Sequence, residues 1–295
     1  MNEAQKTLNA LGRLVVMERP LVMGVLNLTP DSFYDGGKYT AEEAWLHRAG
    51  QMIAEGADML DVGGMSTRPG AEAVSVEEEL RRVIPAIERI HDRWPQQLIS
   101  VDTVRAEVAR RAMEAGASII NDVSAGRFDA EMYDLVAESG APYILMHMQG
   151  RPPDMQRDPQ YDDVVMDVLD FFIREVNALR RRGVRDIILD PGFGFGKTLD
   201  HNYELLNRLH VFGLLDLPIL AGLSRKSMVY RLLGKTPGEA LAGTTALHMV
   251  ALQQGASILR VHDVAEARDV VDCWLKLKSI QPTSVAPWPT YPRTT

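Results

Sequence analysis

The sequence predicts an α/β fold of the (β/α)8 TIM-barrel type, in which eight parallel strands alternate with helices. The first observation is a phrase that recurs five times: a helix-like segment, a glycine, and a short apolar run ending on a polar residue, at 56–61, 116–121, 140–147, 183–190 and 255–260. Glycine at that point favours the left-handed end of a helix. The apolar run after it favours a strand that is buried on both faces.

Three further apolar runs bring the number of predicted strands to eight: 21–27, 98–102 and 217–224. Capping boxes mark helix starts between the strands, beginning at Thr40, Ser75 and Thr236. Eight βα units suit a chain of 295 residues, because barrels of this kind usually take about 250 residues. An open, doubly wound sheet is the alternative that this pattern leaves open.

We expect one domain, the barrel, over residues 21–280. Residues 1–20 would form an N-terminal extension. Residues 281–295 hold four prolines and several threonines, so we expect a disordered tail there. Amphipathic stretches at 239–254 and 265–278 predict outer helices of the barrel.

Composition argues against several classes of function. The net charge is −8 and no basic run is longer than Arg180-Arg181-Arg182, so we expect no nucleic-acid partner. The single cysteine, Cys273, excludes a disulfide framework, and we expect it to be a small buried side chain. The sequence has no signal peptide and no apolar run near the ~18 residues of a membrane span, so we expect a cytoplasmic protein with no membrane partner.

Polar residues stand at the carboxyl ends of the predicted strands, where barrel enzymes place their active sites. They are Asn27, Asp61, Asp102, Asn121, His147, Asp190, Ser224, Arg225, Lys226, Arg260 and His262. The carboxylates and amides suit a ligand rich in N–H donors, whereas the cations suit phosphate. Each residue also has a structural interpretation, since Asp or Asn after a strand commonly caps the next helix.

Two of these residues fit a structural role better than a functional one. Asp61 is followed closely by Gly63 and Gly64, and we expect it to be a buried partner of the next loop. His147 lies between Met146 and Met148, and we expect it to be a core histidine.

The segment Asp190-Pro-Gly-Phe-Gly-Phe-Gly-Lys-Thr198 looks at first like a nucleotide-binding phosphate loop. That loop needs a flexible glycine where this chain has Pro191, whose φ is fixed and which has no N–H. A nucleotide site is therefore not favoured. We expect Lys197 and Thr198 to begin the loop toward the next helix and to stay outside the chemistry.

Two other loops have the composition of lids that close over a ligand, at 29–37 and 63–70. Both combine glycines with charged and hydroxyl side chains. Ordinary turns are the alternative, but polar loops of this length are unusual in a compact barrel.

Eight segments resemble the dihydropteroate synthase family in order and spacing. They are Met23-Gly-Val-Leu-Asn-Leu-Thr-Pro-Asp-Ser-Phe33, Ser66-Thr-Arg-Pro-Gly70, Ser100-Val-Asp-Thr103, Ile119-Ile-Asn-Asp122, Leu145-Met-His-Met148, Asp190-Pro-Gly-Phe-Gly-Phe-Gly-Lys197, Ser224-Arg-Lys-Ser227 and Arg260-Val-His-Asp263. The resemblance spans about residues 20–280 and implies the barrel fold predicted above. It also implies that the chain joins para-aminobenzoate to 6-hydroxymethyl-7,8-dihydropterin diphosphate, giving 7,8-dihydropteroate and diphosphate.

The resemblance assigns roles to most of the strand-end residues. The pterin would be hydrogen-bonded by Asp102, Asn121, Asp190 and Lys226. Arg260 would lie against the pterin ring. The diphosphate would be held by Arg260, His262, Asn27, Thr67 and Arg68. Asn27 would also ligate Mg²⁺, a hard ion that keeps most of its waters and takes diphosphate oxygens.

The acceptor pocket would be built mainly by the loops. Its residues would be Asp31, Asp35, Pro69, Phe195 and Ser227, with Met146 as a further substrate contact. Asp35, Arg68 and Lys226 are the expected catalytic residues. The implied partners are the two small-molecule substrates and a second copy of the chain, in a homodimer formed through outer helices.

The mechanism implied by the resemblance is dissociative C–N bond formation. Mg²⁺ and the cationic side chains would stabilise the departing diphosphate, while the pterin and the carboxylates would support the cationic methylene left behind. The aniline nitrogen of the acceptor is already neutral at pH 7, so no strong general base is needed. Closure of the two loops would exclude water.

One residue departs from the family pattern Gly-Gly-Glu-Ser-Thr-Arg-Pro-Gly, because Met65 replaces the glutamate. An acidic residue beside Arg68 would orient that arginine, so its replacement by methionine could change the geometry of the loop. We expect the enzyme activity to survive.

Two alternative functions remain: a pterin-binding paralogue with impaired catalysis, and a folate-dependent methyltransferase barrel. The methyltransferase would have no use for the cationic residues at the diphosphate end.

Overall fold

The structure, a computed structural model, describes residues 6–28, 41–65, 74–151 and 154–280. Within these ranges the chain forms ten strands and nine α-helices. The strands are β1 (Thr7–Ala10), β2 (Arg13–Val16), β3 (Leu21–Asn27), β4 (Met59–Gly63), β5 (Leu98–Asp102), β6 (Ile119–Asp122), β7 (Tyr143–Met146), β8 (Ile187–Asp190), β9 (Leu220–Ala221) and β10 (Ile258–Val261). The helices are α1 (Ala41–Ala54), α2 (Val76–Arg93), α3 (Ala106–Glu114), α4 (Met132–Ser139), α5 (Val164–Arg181), α6 (Leu199–Asn207), α7 (Ser227–Tyr230), α8 (Leu241–Gln253) and α9 (Val264–Ser279).

Strands β3 to β10 form a parallel sheet that closes on itself. Among the described residues its order is β8-β7-β6-β5-β4-β3-β10-β9. The two ends of this order meet at a parallel bridge between Leu189 and Ile219. There the Leu189 N–H donates to the Pro218 carbonyl at 2.8 Å. The predicted fold class, a (β/α)8 barrel, is therefore confirmed.

The strand boundaries follow the glycine phrases of the sequence. All five phrase glycines have positive φ, between 67° and 116°, and each ends a helix as predicted: Gly56, Gly116, Gly140, Gly183 and Gly255. The run predicted at 217–224 gives only the short β9. Pro218 has no N–H for a strand ladder, which shortens that strand.

One of the three predicted capping boxes begins an α-helix, a second begins a 3-10 turn, and the third, at Thr40, lies outside the described residues. The hydroxyl of Ser75 accepts from the N–H of Glu78 at 3.2 Å and caps α2. The box at Thr236 is formed, but it caps the 3-10 turn Pro237–Glu239, and α8 begins only at Leu241.

The outer helices α8 and α9 lie where the sequence predicted them. The expectation of a buried cysteine is wrong, because Cys273 is exposed on α9. The buried face of α9 carries Val264, Ala267, Val270 and Val271. Cys273 is nine positions after Val264, which places it on the opposite side of a helix with 3.6 residues per turn.

Side chains alternate between the two faces of the barrel wall, as the period of two in a strand requires. Outward side chains such as Ile99 and Val101 pack against the helices in the main core. Inward side chains at the amino ends of the strands form a separate apolar layer: Leu21, Met23, Met59, Leu98, Ile119, Ile144, Ile188, Leu220 and Ile258. This layer fills the lower half of the barrel.

An antiparallel hairpin of β1 and β2 packs under that layer. Leu8 is 2% exposed and Ala10 is 4% exposed, and both belong to the same apolar cluster. The Lys6 ammonium also donates to the Leu217 carbonyl at 2.7 Å. Residues 6–20 of the predicted extension are therefore part of the packed barrel.

Over the described ranges, none of the helices combines the length and the apolar character needed to cross a bilayer. The predicted tail at 281–295 lies outside the described residues.

Candidate active site

Polar side chains fill the upper half of the barrel. In β5, Leu98 belongs to the apolar layer, and Ser100 and Asp102 follow on the same face at intervals of two. The same alternation applies in the other strands. It gives a set that we call the polar layer: Asp61, Ser100, Asp102, Asn121, Asp190 and Arg260. The polar layer lies at the carboxyl ends of the strands, where barrel enzymes act.

Arg260 connects three strands across this layer. Its Nε donates to Asp61 Oδ2 at 2.6 Å, and its Nη2 donates to Asp102 Oδ2 at 2.7 Å. Asn121 Nδ2 donates to the same oxygen of Asp61 at 3.0 Å. Strands β4, β5, β6 and β10 are thereby joined by one charged network.

This network corrects the prediction for Asp61. The sequence suggests a partner of the next loop, but the fully buried carboxylate faces the barrel interior and holds Arg260 and Asn121. The alternation of side chains along a strand would have predicted this position, because Asp61 lies two residues after Met59, whose side chain faces the barrel interior. The same spacing would have identified Ser100, two residues after Leu98.

Asp190 and Lys226 form the second part of the site. Asp190 is 5% exposed, and its Oδ1 accepts from the Gly192 N–H at 2.8 Å. The Lys226 ammonium donates to the Phe193 carbonyl at 2.5 Å and lies 4.6 Å from the centre of the Phe195 ring. Ser227, the first residue of α7, follows Lys226 directly. The structure therefore brings Asp190, Phe195 and Lys226 together, while Ser227 lines a neighbouring cavity with Lys197.

Met146 also faces the interior, as predicted. It is 2% exposed and packs with Val123, Met148 and Met155, while Phe195 lies against this cluster. The cluster gives the site an apolar wall between the polar layer and the loop that follows β8.

Burial shifts the pKa values of the charged groups in opposite directions. Burial raises the pKa of Asp102 to about 7, and the neighbouring carboxylate of Asp61 adds to the rise, although Arg260 opposes it. Burial also raises the pKa of Asp190, against the attraction of Lys226. Burial lowers the pKa of Lys226 to about 8, with Asp190 acting against this fall. For Arg260, burial disfavours the charge, but Asp61 and Asp102 outweigh it and raise the pKa.

His262 lies beside Ser224 at the edge of this site. The backbone N–H of His262 donates to the Ser224 hydroxyl at 3.2 Å, and the ring Nδ1 lies 3.2 Å from the same hydroxyl. Burial, with help from Arg260, lowers the pKa of His262 to about 4, so the ring is neutral at pH 7. Arg225 does not point into the site, because it makes an ion pair with Asp263 at 2.5 Å. The site thus has a neutral His262 ring at its edge and receives no charge from Arg225.

Asn27 is half-buried at the end of β3. A Cβ atom added to Gly63 would lie 3.7 Å from the Asn27 Oδ1 and 3.3 Å from the Asp102 Cβ. The side chains of Asn27 and Asp102 therefore both lie beside Gly63. Among the described residues no cluster of three or more His, Cys, Asp or Glu side chains is arranged to hold a metal ion. A single amide oxygen fits Mg²⁺ only when substrate phosphates and waters supply the remaining ligands, which is the usual way this ion binds.

His147 does not face the site. It follows the outward Leu145 by two positions, and its ring packs edge-on against Phe171 with 4.9 Å between ring centres. Burial, helped by Lys197, lowers the pKa of His147 well below its ordinary value. The prediction of a core histidine is confirmed, and His147 leaves the list of candidate ligands.

Lys197 differs from its predicted role. We expected it only to begin the loop toward the next helix, but its side chain is 3% exposed and its ammonium lies 3.0 Å from His147 Nδ1. Thr198 is the N-cap of α6, so the helix begins at once. The capping box of Thr198 uses His201, which a search for Glu or Gln at that position would miss.

Glu79 on α2 is a buried structural carboxylate beside the site, and the sequence did not indicate it. This fully buried carboxylate accepts from the Thr103 hydroxyl at 2.6 Å and from Arg105 at 2.7 Å. Arg105 also donates to the Val74 carbonyl, and Arg82 donates to the Gly64 carbonyl at 3.0 Å. The two chain ends that flank residues 66–73 are thus fixed from α2 and from the start of α3.

Several predicted residues lie outside the described ranges. They are Asp31, Asp35, Thr67, Arg68 and Pro69. Their roles stay predictions.

The comparisons with known proteins agree with this geometry. The pterin binding enzyme family matches residues 23–262. A dihydropteroate synthase of Escherichia coli K12 is 48% identical over 274 residues, which cover 91% of this chain and 96% of that protein. A solved structure of the Xanthomonas albilineans dihydropteroate synthase with 4-aminobenzoic acid has a TM-score of 0.88 and 45% identity, and the match covers 94% of this chain and all of that one. The complex of that enzyme with 7,8-dihydropteroate has a TM-score of 0.85 and 43% identity, with the same coverage.

A barrel with a polar layer at its carboxyl end, matched by the pterin binding enzyme family over residues 23–262, defines a pterin-binding enzyme. Within that class the chain belongs to the dihydropteroate synthase family, whose members are transferases.

Proposed function

We propose that this enzyme joins 6-hydroxymethyl-7,8-dihydropterin diphosphate to para-aminobenzoate, with release of diphosphate. The main support for the proposal is that the site contains two kinds of polar group, hydrogen-bond acceptors and cations. Asp102, Asn121 and Asp190 offer acceptors, while Lys226 and Arg260 offer cations within the same buried layer. The relatives bound to 4-aminobenzoic acid and to 7,8-dihydropteroate support this substrate pair.

The polar layer would recognise the pterin. Ionised carboxylates accept hydrogen bonds only, so Asp102 and Asp190 match the amino and ring N–H groups of a pterin. Asn121 can both donate and accept, and Arg260 presents a planar guanidinium held by two carboxylates. A planar ligand would therefore lie above Arg260, bounded at its edges by the acceptors.

The diphosphate would lie nearer the mouth of the barrel. We assign Asn27 and His262 to this end, together with Thr67 and Arg68 from the second loop. Mg²⁺, when bound with the diphosphate, would neutralise part of its charge. His262 would contribute an N–H donor, because its ring is neutral at pH 7.

The chemistry would proceed by loss of diphosphate before attack. The bond from the pterin methylene to the diphosphate oxygen breaks, and both electrons leave with the diphosphate. The carboxylates of the polar layer then stabilise the electron-poor methylene. The neutral aniline nitrogen donates its lone pair to form the C–N bond and afterwards loses a proton.

The acceptor would lie between the loop after β8 and the start of α7. Phe195 would pack on its ring and Ser227 would hydrogen-bond its carboxylate, with Asp35 and Pro69 on the loop side. Lys226 lies between the two substrate positions, since it touches the Phe195 ring and is attracted by Asp190.

The test is turnover by the purified chain with both substrates and Mg²⁺. We expect 7,8-dihydropteroate and diphosphate in equal amounts, with loss of turnover when Mg²⁺ is chelated. Binding of the pterin without either product would instead support the impaired paralogue. Turnover that is independent of Mg²⁺ would contradict the metal assignment.

We also propose that the enzyme acts as a cytoplasmic homodimer. Leu232 and Leu233, just after α7, are 55% and 46% exposed, and a second copy packed on this face would cover them. Light scattering should give twice the mass of the chain, and Leu232→Glu should reduce that mass to one chain. A monomeric parent would contradict the dimer.

A further inference from the structure

The loop at 191–196, which follows β8, rests directly on the chain that follows β7. Gly192, Gly194 and Gly196 have φ of 68°, 80° and 61°. A Cβ on Gly192 would lie 2.0 Å from the His147 carbonyl oxygen, and a Cβ on Gly196 would lie 2.3 Å from that of Gln149. Only glycine allows both the backbone angle and the close approach at these positions.

This packing buries Gly192, Phe193 and Gly196 and half-buries Gly194 and Phe195, so the loop carbonyls need donors from the protein. Each carbonyl from Gly192 to Gly196 receives a side-chain donor. Tyr161 donates to Gly196 at 2.8 Å, Gln156 donates to Gly194, and Lys226 donates to Phe193 at 2.5 Å. Lys197 supplies the remaining two, at 3.1 Å to Gly192 and 3.1 Å to Phe195.

The Lys197 ammonium also reaches the end of β7. It lies 3.0 Å from His147 Nδ1 and 3.4 Å from the His147 carbonyl oxygen. Burying a lysine is costly, and here burial lowers its pKa to about 7. A buried amine with four polar contacts fixes the two loop segments relative to each other.

We propose that Lys197 is a positioning residue for the acceptor half of the reaction. By holding the carbonyls of Gly192 and Phe195, it sets the Phe195 ring beside Lys226. The inference rests on the proposed synthase activity.

The effect should fall more on the acceptor than on the pterin. Asp190 is held by the pairing of β8 with β7 and by its hydrogen bond from Gly192. Phe195 lies beyond the strand, so its place depends on the loop that Lys197 fixes. A cavity of about 200 Å³ lined by Lys197, Ser227 and Arg231 lies on this same side.

The test is steady-state kinetics of Lys197→Met, which keeps an unbranched apolar stem and removes the amine. We expect the KM for para-aminobenzoate to rise about tenfold or more, as expected for the loss of a buried hydrogen-bond network. The KM for the pterin diphosphate should stay within about threefold, because the pairing of β8 with β7 holds Asp190 in place independently of Lys197. Lys276→Met, an exposed lysine on α9, is the matched control and should match the parent.

A double variant shows whether Lys197 acts through Phe195. In a Phe195→Leu background, Lys197→Met should add little to the acceptor KM, because its target is already lost. Equal changes in both KM values, no change in either, or full additivity with Phe195→Leu would each overturn the inference. If Lys197→Met does not fold, as judged by circular dichroism, Lys197→Gln, which shortens the side chain and removes its charge, is measured under the same criteria. A parent without turnover refutes the proposed function, whereas an active parent with an unaffected variant refutes only this inference.

Discussion

At the scale of single residues, the site depends on buried charges that restrain one another. Asp61 has one oxygen that accepts from both Arg260 and Asn121, while Asp102 holds the other side of the guanidinium. Removing one member of such a group leaves its partners buried and unpaired. The arrangement therefore fixes the orientation of the Arg260 guanidinium.

The first prediction concerns Asp61→Asn. The amide keeps the shape of the carboxylate but removes the charge that orients Arg260. We expect kcat/KM for the pterin diphosphate to fall about 10- to 100-fold, since hydrogen bonds to charged groups contribute about 1.5–3 kcal/mol. Asp58→Asn is the matched control: Asp58 makes ion pairs with Arg19 and Arg268 at the other end of the barrel. It should lower stability and leave kcat/KM unchanged; equal effects of the two variants on kcat/KM would contradict the assignment.

The second prediction concerns pH. The pKa of Asp102 is raised to about 7, so its ionised form is lost as the pH falls through that value. The pKa of Lys226 is lowered to about 8, so its charge is lost as the pH rises through that value. A plot of kcat/KM for the pterin diphosphate against pH should therefore be bell-shaped, with its maximum between the two. The residual activity of Asp102→Asn should lack the acidic limb; a flat profile in the parent from pH 6 to 9 would refute both roles.

At the scale of elements, the active end and the stabilising end of the barrel are separate. Glu79 and Arg105 fix the chain beside the second loop, and the hairpin of β1 and β2 closes the opposite end. Substitutions in the first group should change kinetics. Substitutions in the hairpin should change stability only.

The third prediction concerns the second loop, where Met65 replaces the glutamate of the family pattern. The parent should be active, and Met65→Glu should change kcat by no more than a few-fold, because the loop ends are already fixed from α2. The measurement is turnover of both forms at saturating substrates. An inactive parent that regains turnover with Met65→Glu would show that the glutamate is needed.

The fourth prediction is that Leu8→Ala destabilises the fold without affecting the site. Leu8 is 2% exposed in the lower apolar layer, and such truncations cost about 2–5 kcal/mol. Denaturant unfolding should show this loss. Both KM values should equal those of the parent, and a change in either would connect the hairpin to the site.

At the scale of the molecule, the fold and most of the site follow from local patterns in the sequence. The five glycine phrases predicted helix ends and strand starts, and the strand-end positions predicted Asp102, Asn121, Asp190 and Arg260. Contacts between distant positions could not be predicted in this way. The pair of Asp61 with Arg260 is 199 residues apart and exists only because β10 pairs with β3 as the barrel closes. Lys197 and His147 are 50 residues apart and meet because β7 pairs with β8.

The central claim is that Asp102, Asn121 and Asp190 face one planar ligand. A crystal structure with a pterin and Mg²⁺ bound tests it most directly. We predict that all three side chains hydrogen-bond a single pterin ring lying against Arg260, with Asn27 on the metal. A pterin bound elsewhere, or a ring that contacts none of the three, would contradict the account.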